Sequence, residues 1–262
     1  MQRTFYLVYG IACHLLFLVI AVWLQAFVGD LFLTRSIDRG PTTRLPMAIA
    51  INTMLVVGFG LQHSIMARPA FKRWWTQFVP RPIERSTYVL ASCVVTALLI
   101  LLWQPIHVVV WDVRQPVLRT TIWTLFFAGW LLVPTVSLMI NHFDLFGTRQ
   151  VWLHWRQVKV DPLTFRTPYL YAWMRHPLYV GWAIAFWAIP TMTLGHALFA
   201  SLMTVYMLIA VVFEERDLVA HFGEEYKAYQ ERVPMFGVRL RSTSDSPASP
   251  QSNADSKTID TC

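Results

Sequence analysis

Arg175-His176-Pro177-Leu178-Tyr179-Val180-Gly181 opens a long apolar stretch, and Glu214-Glu215-Arg216-Asp217-Leu218 closes it. The roughly 36 nearly uncharged positions between them would reach about 54 Å as one helix, against a hydrocarbon core of ~30 Å. A single straight span therefore does not fit. Pro190, Thr191, Thr193 and Gly195 lie near the middle and supply breaker chemistry, so the stretch predicts a helical hairpin with short arms. Folding back returns Glu214 and Glu215 to the membrane face that holds Arg175 and His176.

Such a hairpin gathers a cation, an imidazole and two carboxylates at the mouth of a helix pair, where charge near lipid is costly without a use. Pro177 suits a first helical position, and Gly181 lets a ligand or another backbone approach the first turn. The plainer reading is a basic helix entrance and an acidic exit, each solvated at the headgroups.

The rest of the chain sets the class. Of 262 residues, 55% are hydrophobic and 14% charged, which implies a polytopic all-α membrane bundle. Twelve Trp and nine Tyr fit an interfacial aromatic belt, and the net charge of +7 fits basic cytoplasmic loops better than nucleic-acid binding. Cys13, Cys93 and Cys262 have no ligand spacing, so neither a disulfide framework nor a metal site is expected.

Working back from the hairpin, residues 151–174 form a basic amphipathic stretch, with Arg156, Lys159 and Arg166 among Trp152, Trp155, Leu163 and Phe165. It is expected to lie along the interface. Before it, Asn141-His142-Phe143-Asp144-Leu145-Phe146-Gly147 follows a span at about residues 121–140, in which Pro134 is a candidate kink. These polar groups read either as a helix end cap or as part of a site. Further spans are expected at about residues 5–28, 46–67 and 88–103. His14 in the first reads as a packed or hydrogen-bonded histidine rather than a ligand. Gln62 and His63 close the second, where polar side chains face a bundle interior, as a brace or as part of a substrate site. The loop after them carries Arg68, Lys72, Arg73, Arg81 and Arg85 against Glu84, so the positive-inside rule places it in the cytoplasm. Beyond Glu215 a polar helix is expected to fold over the mouth and end at Val233-Pro234, with His221 and Tyr226 facing water or a ligand. Residues 1–240 thus form one membrane domain of about five to six segments with both termini cytoplasmic, and residues 241–262 form a disordered tail.

Arg-His-Pro-x-Tyr-x-Gly, a hydrophobic hairpin and Glu-Glu-x-x-Leu, followed by Phe222-Gly223-Glu224-Glu225-Tyr226, resemble the isoprenylcysteine carboxyl methyltransferase and phospholipid methyltransferase superfamily of integral membrane enzymes. The resemblance implies an S-adenosylmethionine site on Arg175, His176, Pro177, Tyr179, Gly181, Glu214 and Glu215, with Gln150 and Tyr171 as further contacts. Residues 141–152, with Gln62-His63-Ser64 and Glu84-Arg85-Ser86-Thr87-Tyr88, are similar to the bacterial methanethiol S-methyltransferase branch. That branch implies a small thiol as acceptor and a bacterial inner membrane, and the basic loops at Arg68 to Arg85 and Arg149 to Arg175 turn the cofactor site to the cytoplasm.

The implied chemistry is in-line attack by sulfur on a sulfonium methyl group. Activation is already in the donor, so the protein has to position the reactants and remove a proton. Thiols titrate above neutrality, so a general base helps form the thiolate. His142, oriented by Asp144 or Asn141, is the first candidate and His63 the second. Arg175 would pair with the methionyl carboxylate, and a glutamate would accept from the ribose or the ammonium. A lipid or prenylcysteine acceptor, or a non-catalytic membrane protein, is the alternative.

Overall fold

The computed structural model describes residues 1–158, 165 and 167–237. In chain order its helices are α1 (Gln2–Val28), α2 (Leu45–Ala67), α3 (Pro69–Trp75) and α4 (Arg81–Leu102). A strand β1 (Val109–Asp112) precedes α5 (Pro116–Ile140), α6 (His142–Leu145) and α7 (Thr148–Arg156). A 3-10 turn at Tyr169–Ala172 leads to α8 (Pro177–Trp187), strand β2 (Thr191–Thr193), α9 (Leu194–Phe222) and α10 (Glu224–Arg232). The expected tail and the basic side chains Lys159 and Arg166 lie outside the described residues.

Five helices, α1, α2, α4, α5 and α9, are long and apolar enough to cross a membrane, and α8 is a shorter apolar helix. Their outward faces carry Val19, Val22, Leu131, Leu138, Val205 and Ile209, all exposed and suited to lipid contact. The chain is an integral membrane protein with an all-α fold. The helices start where local chemistry allows: Pro occupies the first turn of α2, α4, α5 and α8, where a missing N–H costs nothing. The Gln115 side chain caps α5, and Thr193 caps α9 by accepting from the His196 N–H at 3.1 Å.

The hairpin forms, but its arms are unequal. Helix α8 has 11 residues, about 16 Å of rise, whereas α9 has 29, about 43 Å. The break falls at 188–193, at the expected Pro190, Thr191 and Thr193, and the inequality arises because Glu214 and Glu215 do not end the second arm. Nothing there opposes helix until Gly223, which adopts φ +60°. The break is pinned by an antiparallel pairing of β2 with β1, a contact the sequence reading did not anticipate. There Thr193 also donates to the Asp38 carboxylate at 2.5 Å, which ties the 29–44 loop to the start of α9.

The core is aromatic. Phe27, Trp103, Phe126, Phe186 and Phe199 are buried together at the hairpin-turn end. At the opposite end, the start of α1 meets α7 and the start of α4, while α2 leads into an Arg68–Asp217 ion pair of 2.9 Å with the end of α9. All the expected site residues lie at this second end. Helices α5 and α8 run antiparallel in close contact at Gly129 and Gly181, so Gly181 admits a neighbouring backbone. A Cβ on Gly129 would lie 2.7 Å from the Ala185 nitrogen, whereas one on Gly58 would meet nothing within 4 Å. Gly129→Ala is therefore expected to cost about 1–3 kcal/mol through overpacking against backbone. Gly58→Ala should be neutral or stabilising by up to about 1 kcal/mol, since it only improves helix propensity. Thermal midpoints of the two variants in detergent check the contrast, and equal midpoints would refute the close crossing.

Candidate active site

Residues 175, 176 and 215 build one clamp. Arg175 Nε donates to Glu215 Oε1 at 2.7 Å, His176 Nε2 lies 3.0 Å from the same oxygen, and Gln230 Nε2 donates to Oε2 at 3.0 Å. Arg175 Nη1 also donates to the carbonyls of Gln230 (2.9 Å) and Val233 (2.7 Å). The backbone N–H groups of Arg175 and His176 donate to Pro234 and Met235. Arg175 and Glu215 are only 10% and 12% exposed, so this charge pair is largely removed from water. The clamp ties the hairpin's two polar ends to α10 and the chain after it. Arg175, expected to meet a methionyl carboxylate, thus spends Nε and Nη1 inside the protein.

Glu214 differs from its neighbour. One residue along a helix rotates the side chain by about 100°, which turns Glu214 away from the clamp. It accepts from the Tyr179 hydroxyl at 2.8 Å and is otherwise exposed. Around it lie phenols. Tyr171 stays protonated well above the usual phenol range, pushed up first by burial and then by the Glu214 charge. Tyr229 is raised to about 12, mainly by burial, and donates to the Tyr171 carbonyl at 2.6 Å. Tyr226, expected to face water or a ligand, is buried against Phe165 instead, while His221 is exposed.

A second group continues inward from Glu214. Tyr206 of α9 hydrogen-bonds with Ser64, and its ring stands edge-on to His63 at 6.5 Å. His63 Nε2 lies 2.8 Å from the Tyr88 hydroxyl and Nδ1 lies 3.3 Å from Ser92 Oγ. The Arg85 guanidinium covers the Tyr88 ring at 4.8 Å, and its Nε donates to the Leu145 carbonyl at 2.7 Å. The sequence reading assigned no role to Tyr206, Tyr88 or Arg85. A phenol inside an otherwise apolar run was the available signal for Tyr206, and Arg85 and Tyr88 stood in a quoted motif.

The third group is on α6. His142 is held by Ser137, whose Oγ lies 2.9 Å from Nδ1, and by His14, whose Nε2 lies 3.2 Å from His142 Nε2. Asp144 instead pairs with Arg149 at 2.9 Å, and Asn141 supplies only backbone contacts to α6. His142 is thus oriented by groups other than those expected, and His14 is a partner in the cluster. Partial burial, then the neighbouring His14, hold the His142 pKa below the ordinary imidazole range, so it is neutral at neutral pH. Gln150 donates to the Asp144 carbonyl at 3.2 Å, and its buried Oε1 has no partner among the described residues. No three His, Cys, Asp or Glu side chains converge as metal ligands among the described residues.

A membrane bundle with paired glutamates, a hairpin of unequal arms and a polar cluster at one end is also what related chains would share by descent. A methanethiol S-methyltransferase from Mycobacterium tuberculosis is 47% identical over 235 residues, covering 90% of this chain and 96% of that protein. The chain belongs to the methanethiol S-methyltransferase family. A second member, from Crocosphaera subtropica, is 45% identical over 90% of this chain and 92% of its own length. Rat nurim is a more distant relative, 29% identical over 65% of this chain and 68% of that protein. No family model matches, and no solved structure does. Membership in the methanethiol S-methyltransferase family makes the chain an integral membrane methyltransferase.

The two glutamates should separate by experiment. Glu215→Gln leaves Arg175 short of its counter-charge and is expected to cost about 3–5 kcal/mol, with α10 becoming sensitive to protease. Glu214→Gln should stay within about 0.5 kcal/mol of wild type. Thermal midpoints and limited proteolysis in detergent check this, and an equal loss in both variants would contradict the divided roles.

Proposed function

We propose that the protein transfers a methyl group from S-adenosylmethionine to a small thiol, converting methanethiol to dimethyl sulfide. The observation that carries the reading is the exposed Glu214 carboxylate, held by Tyr179 on an otherwise neutral, phenol-lined face. Such a carboxylate suits the ammonium or ribose hydroxyls of that donor. When bound, the donor supplies an activated methyl on a positive sulfur. Tyr179 aims the Glu214 carboxylate, and Tyr171 adds a neutral donor beside it. Arg175, His176 and Glu215 hold the mouth in shape, while Pro177 and Gly181 set where α8 starts and how closely it packs. Gln150, with its unpartnered oxygen, is a further contact.

His142 serves as general base for the thiol, with Ser137 and His14 orienting the ring and Asn141 and Asp144 shaping its turn. His63 is the second candidate. The antiparallel register of α5 and α8, which sets Gly129 by Ala185 and Val133 by Gly181, carries Ser137 to the level of Pro177. His142 thereby stands at the depth of the cofactor mouth. The end bearing the site also carries Arg68, Lys72, Arg73, Arg81, Arg85, Arg149 and Arg156, which supports a cytoplasmic orientation in a bacterial inner membrane.

Membranes containing the protein are expected to form dimethyl sulfide from methanethiol and S-adenosylmethionine, read by headspace gas chromatography, and labelled lipid headgroups instead would refute the thiol acceptor. Glu214→Ala should weaken S-adenosylmethionine binding about tenfold to a hundredfold, since a charge-assisted contact is lost.

The pH profile gives a separate check. A base whose pKa is lowered stays neutral to more acidic pH, so the acid limb of kcat/KM should fall below the ordinary imidazole range. His142→Ala should retain S-adenosylmethionine binding, lose about 10²-fold or more in kcat, and recover in part as rising pH supplies thiolate. Identical pH profiles for the two proteins would remove His142 from the role of base.

A further inference from the structure

His14 lies within the first apolar helix, where a lone histidine has no obvious use, yet it meets His142 ring to ring. The directions of the hydrogen bonds around the pair follow from proton counting. Thr148 Oγ1 donates its single proton to the Phe143 carbonyl at 3.1 Å. Toward His14 Nδ1, 3.4 Å away, the same oxygen can only accept, so His14 carries its proton on Nδ1. His14 Nε2 is then an acceptor, and the His142 nitrogen 3.2 Å from it must be the donor. With its proton on Nε2, His142 accepts at Nδ1 from the Ser137 hydroxyl at 2.9 Å. Every hydroxyl and imidazole in the row Ser137, His142, His14, Thr148 therefore points the same way, and the row ends at the exposed turn that holds Phe143.

We propose that this row is a one-way proton relay that takes the proton of the thiol substrate from the site to water, with His14 as its positioning and relay residue. The proposal rests on the thiol reading above. A thiol at Ser137 Oγ gives its proton to that oxygen as the Ser137 proton moves to His142 Nδ1. The His142 Nε2 proton passes to His14 Nε2, and the His14 Nδ1 proton leaves past Thr148 to water. The electron pair of the S–H bond stays on sulfur and forms the new S–C bond to the methyl carbon, while the donor's own S–CH3 bond breaks with both of its electrons remaining on the former sulfonium sulfur, which departs as a neutral thioether. One proton is released per methyl transferred, and nothing is oxidised or reduced.

The other ionisable groups on the elements around the pair are Arg3, Tyr6, Tyr9 and Cys13 on α1, Arg81, Glu84, Arg85, Tyr88 and Cys93 on α4, Arg119 on α5, Asp144 on α6, and Arg149, His154 and Arg156 on α7. Asp144 and Arg149 are committed to each other, and Arg85 to the Leu145 carbonyl. His154 packs against Tyr6 with ring centres 5.7 Å apart. Aromatic contacts pack the pair: Phe146 lies 5.1 Å from the His14 ring and 4.7 Å from the His142 ring.

Two measurements on the full-length protein in detergent test this. Nitrogen-15 NMR of histidine-labelled protein reads the tautomers without turnover: His14 should be the Nδ1–H form and His142 the Nε2–H form, with Thr148→Val shifting the His14 signals. The opposite tautomer at either ring would overturn the relay. In the kinetic arm, His14→Phe keeps an aromatic ring in place, and Thr148→Val is nearly isosteric and guards against a folding defect in the first variant. Both should bind S-adenosylmethionine as wild type does, and lose about 10²-fold and about tenfold in kcat at neutral pH respectively. Both should regain rate at high pH, and His14→Phe also with added imidazole. A wild-type pH profile in both variants would refute the relay while leaving the methyltransferase reading in place. Wild-type protein with the expected tautomers that forms no thioether from methanethiol would instead overturn the thiol reading and the relay's cargo with it.

Discussion

The mouth of the hairpin depends on one carboxylate largely removed from water. Glu215 takes hydrogen bonds from Arg175, His176 and Gln230, which belong to the hairpin entrance and to α10. Breaking any one leaves charge or polarity unpaired in a poorly solvated place, where the loss exceeds the net worth of the bond. The clamp therefore works as a unit, and it gives the polar α10 a reason to fold back over an apolar hairpin. Because adjacent residues on a helix diverge by about 100°, fixing Glu215 inward also fixes Glu214 outward. A Glu-Glu pair thus yields a structural carboxylate and an accessible one from a single helix turn.

The spans were legible in the sequence because lipid demands long uncharged runs, and α1, α2, α4, α5 and α9 all show them. Their lengths were less so. Apolar content marks where hydrocarbon contact stops and not where helix stops, so α4 begins at Arg81 and α9 runs past Glu215 to Phe222. The β1–β2 pairing was hidden since strands of four and three residues carry no periodicity to read.

At the site, the residues of the hairpin signature were legible as a group, yet the division of labour was not. Sequence spacing suggested Asp144 as the partner of His142, two positions away. On the short helix α6 such neighbours point to different sides, and Asp144 turns to Arg149 on the next helix. His14, by contrast, is far away in the chain and sits alone in an apolar run. Only the packing of α1 against α7, whose first residue Thr148 meets His14, brings it to His142, and no local pattern records that contact.

The two histidine groups also show why depth matters for a proton acceptor. Ser92 Oγ donates to the Tyr88 carbonyl at 3.1 Å, so it accepts from His63 Nδ1, and His63 Nε2 accepts from the Tyr88 hydroxyl. His63 is thus satisfied in one neutral tautomer, and charging it would place a cation among Phe59, Tyr88 and Tyr206. That costs more than a buried hydrogen bond returns. His142 has the same neutral resting state but stands where α5 leaves the apolar layer, with a hydrogen-bonded row leading to an exposed turn. A charge that forms there need not remain. In the proposed reaction, the better base of two imidazoles with equal intrinsic basicity is the one able to pass its proton outward, and the close α5–α8 crossing at Gly129 and Gly181 holds that one level with the start of α8.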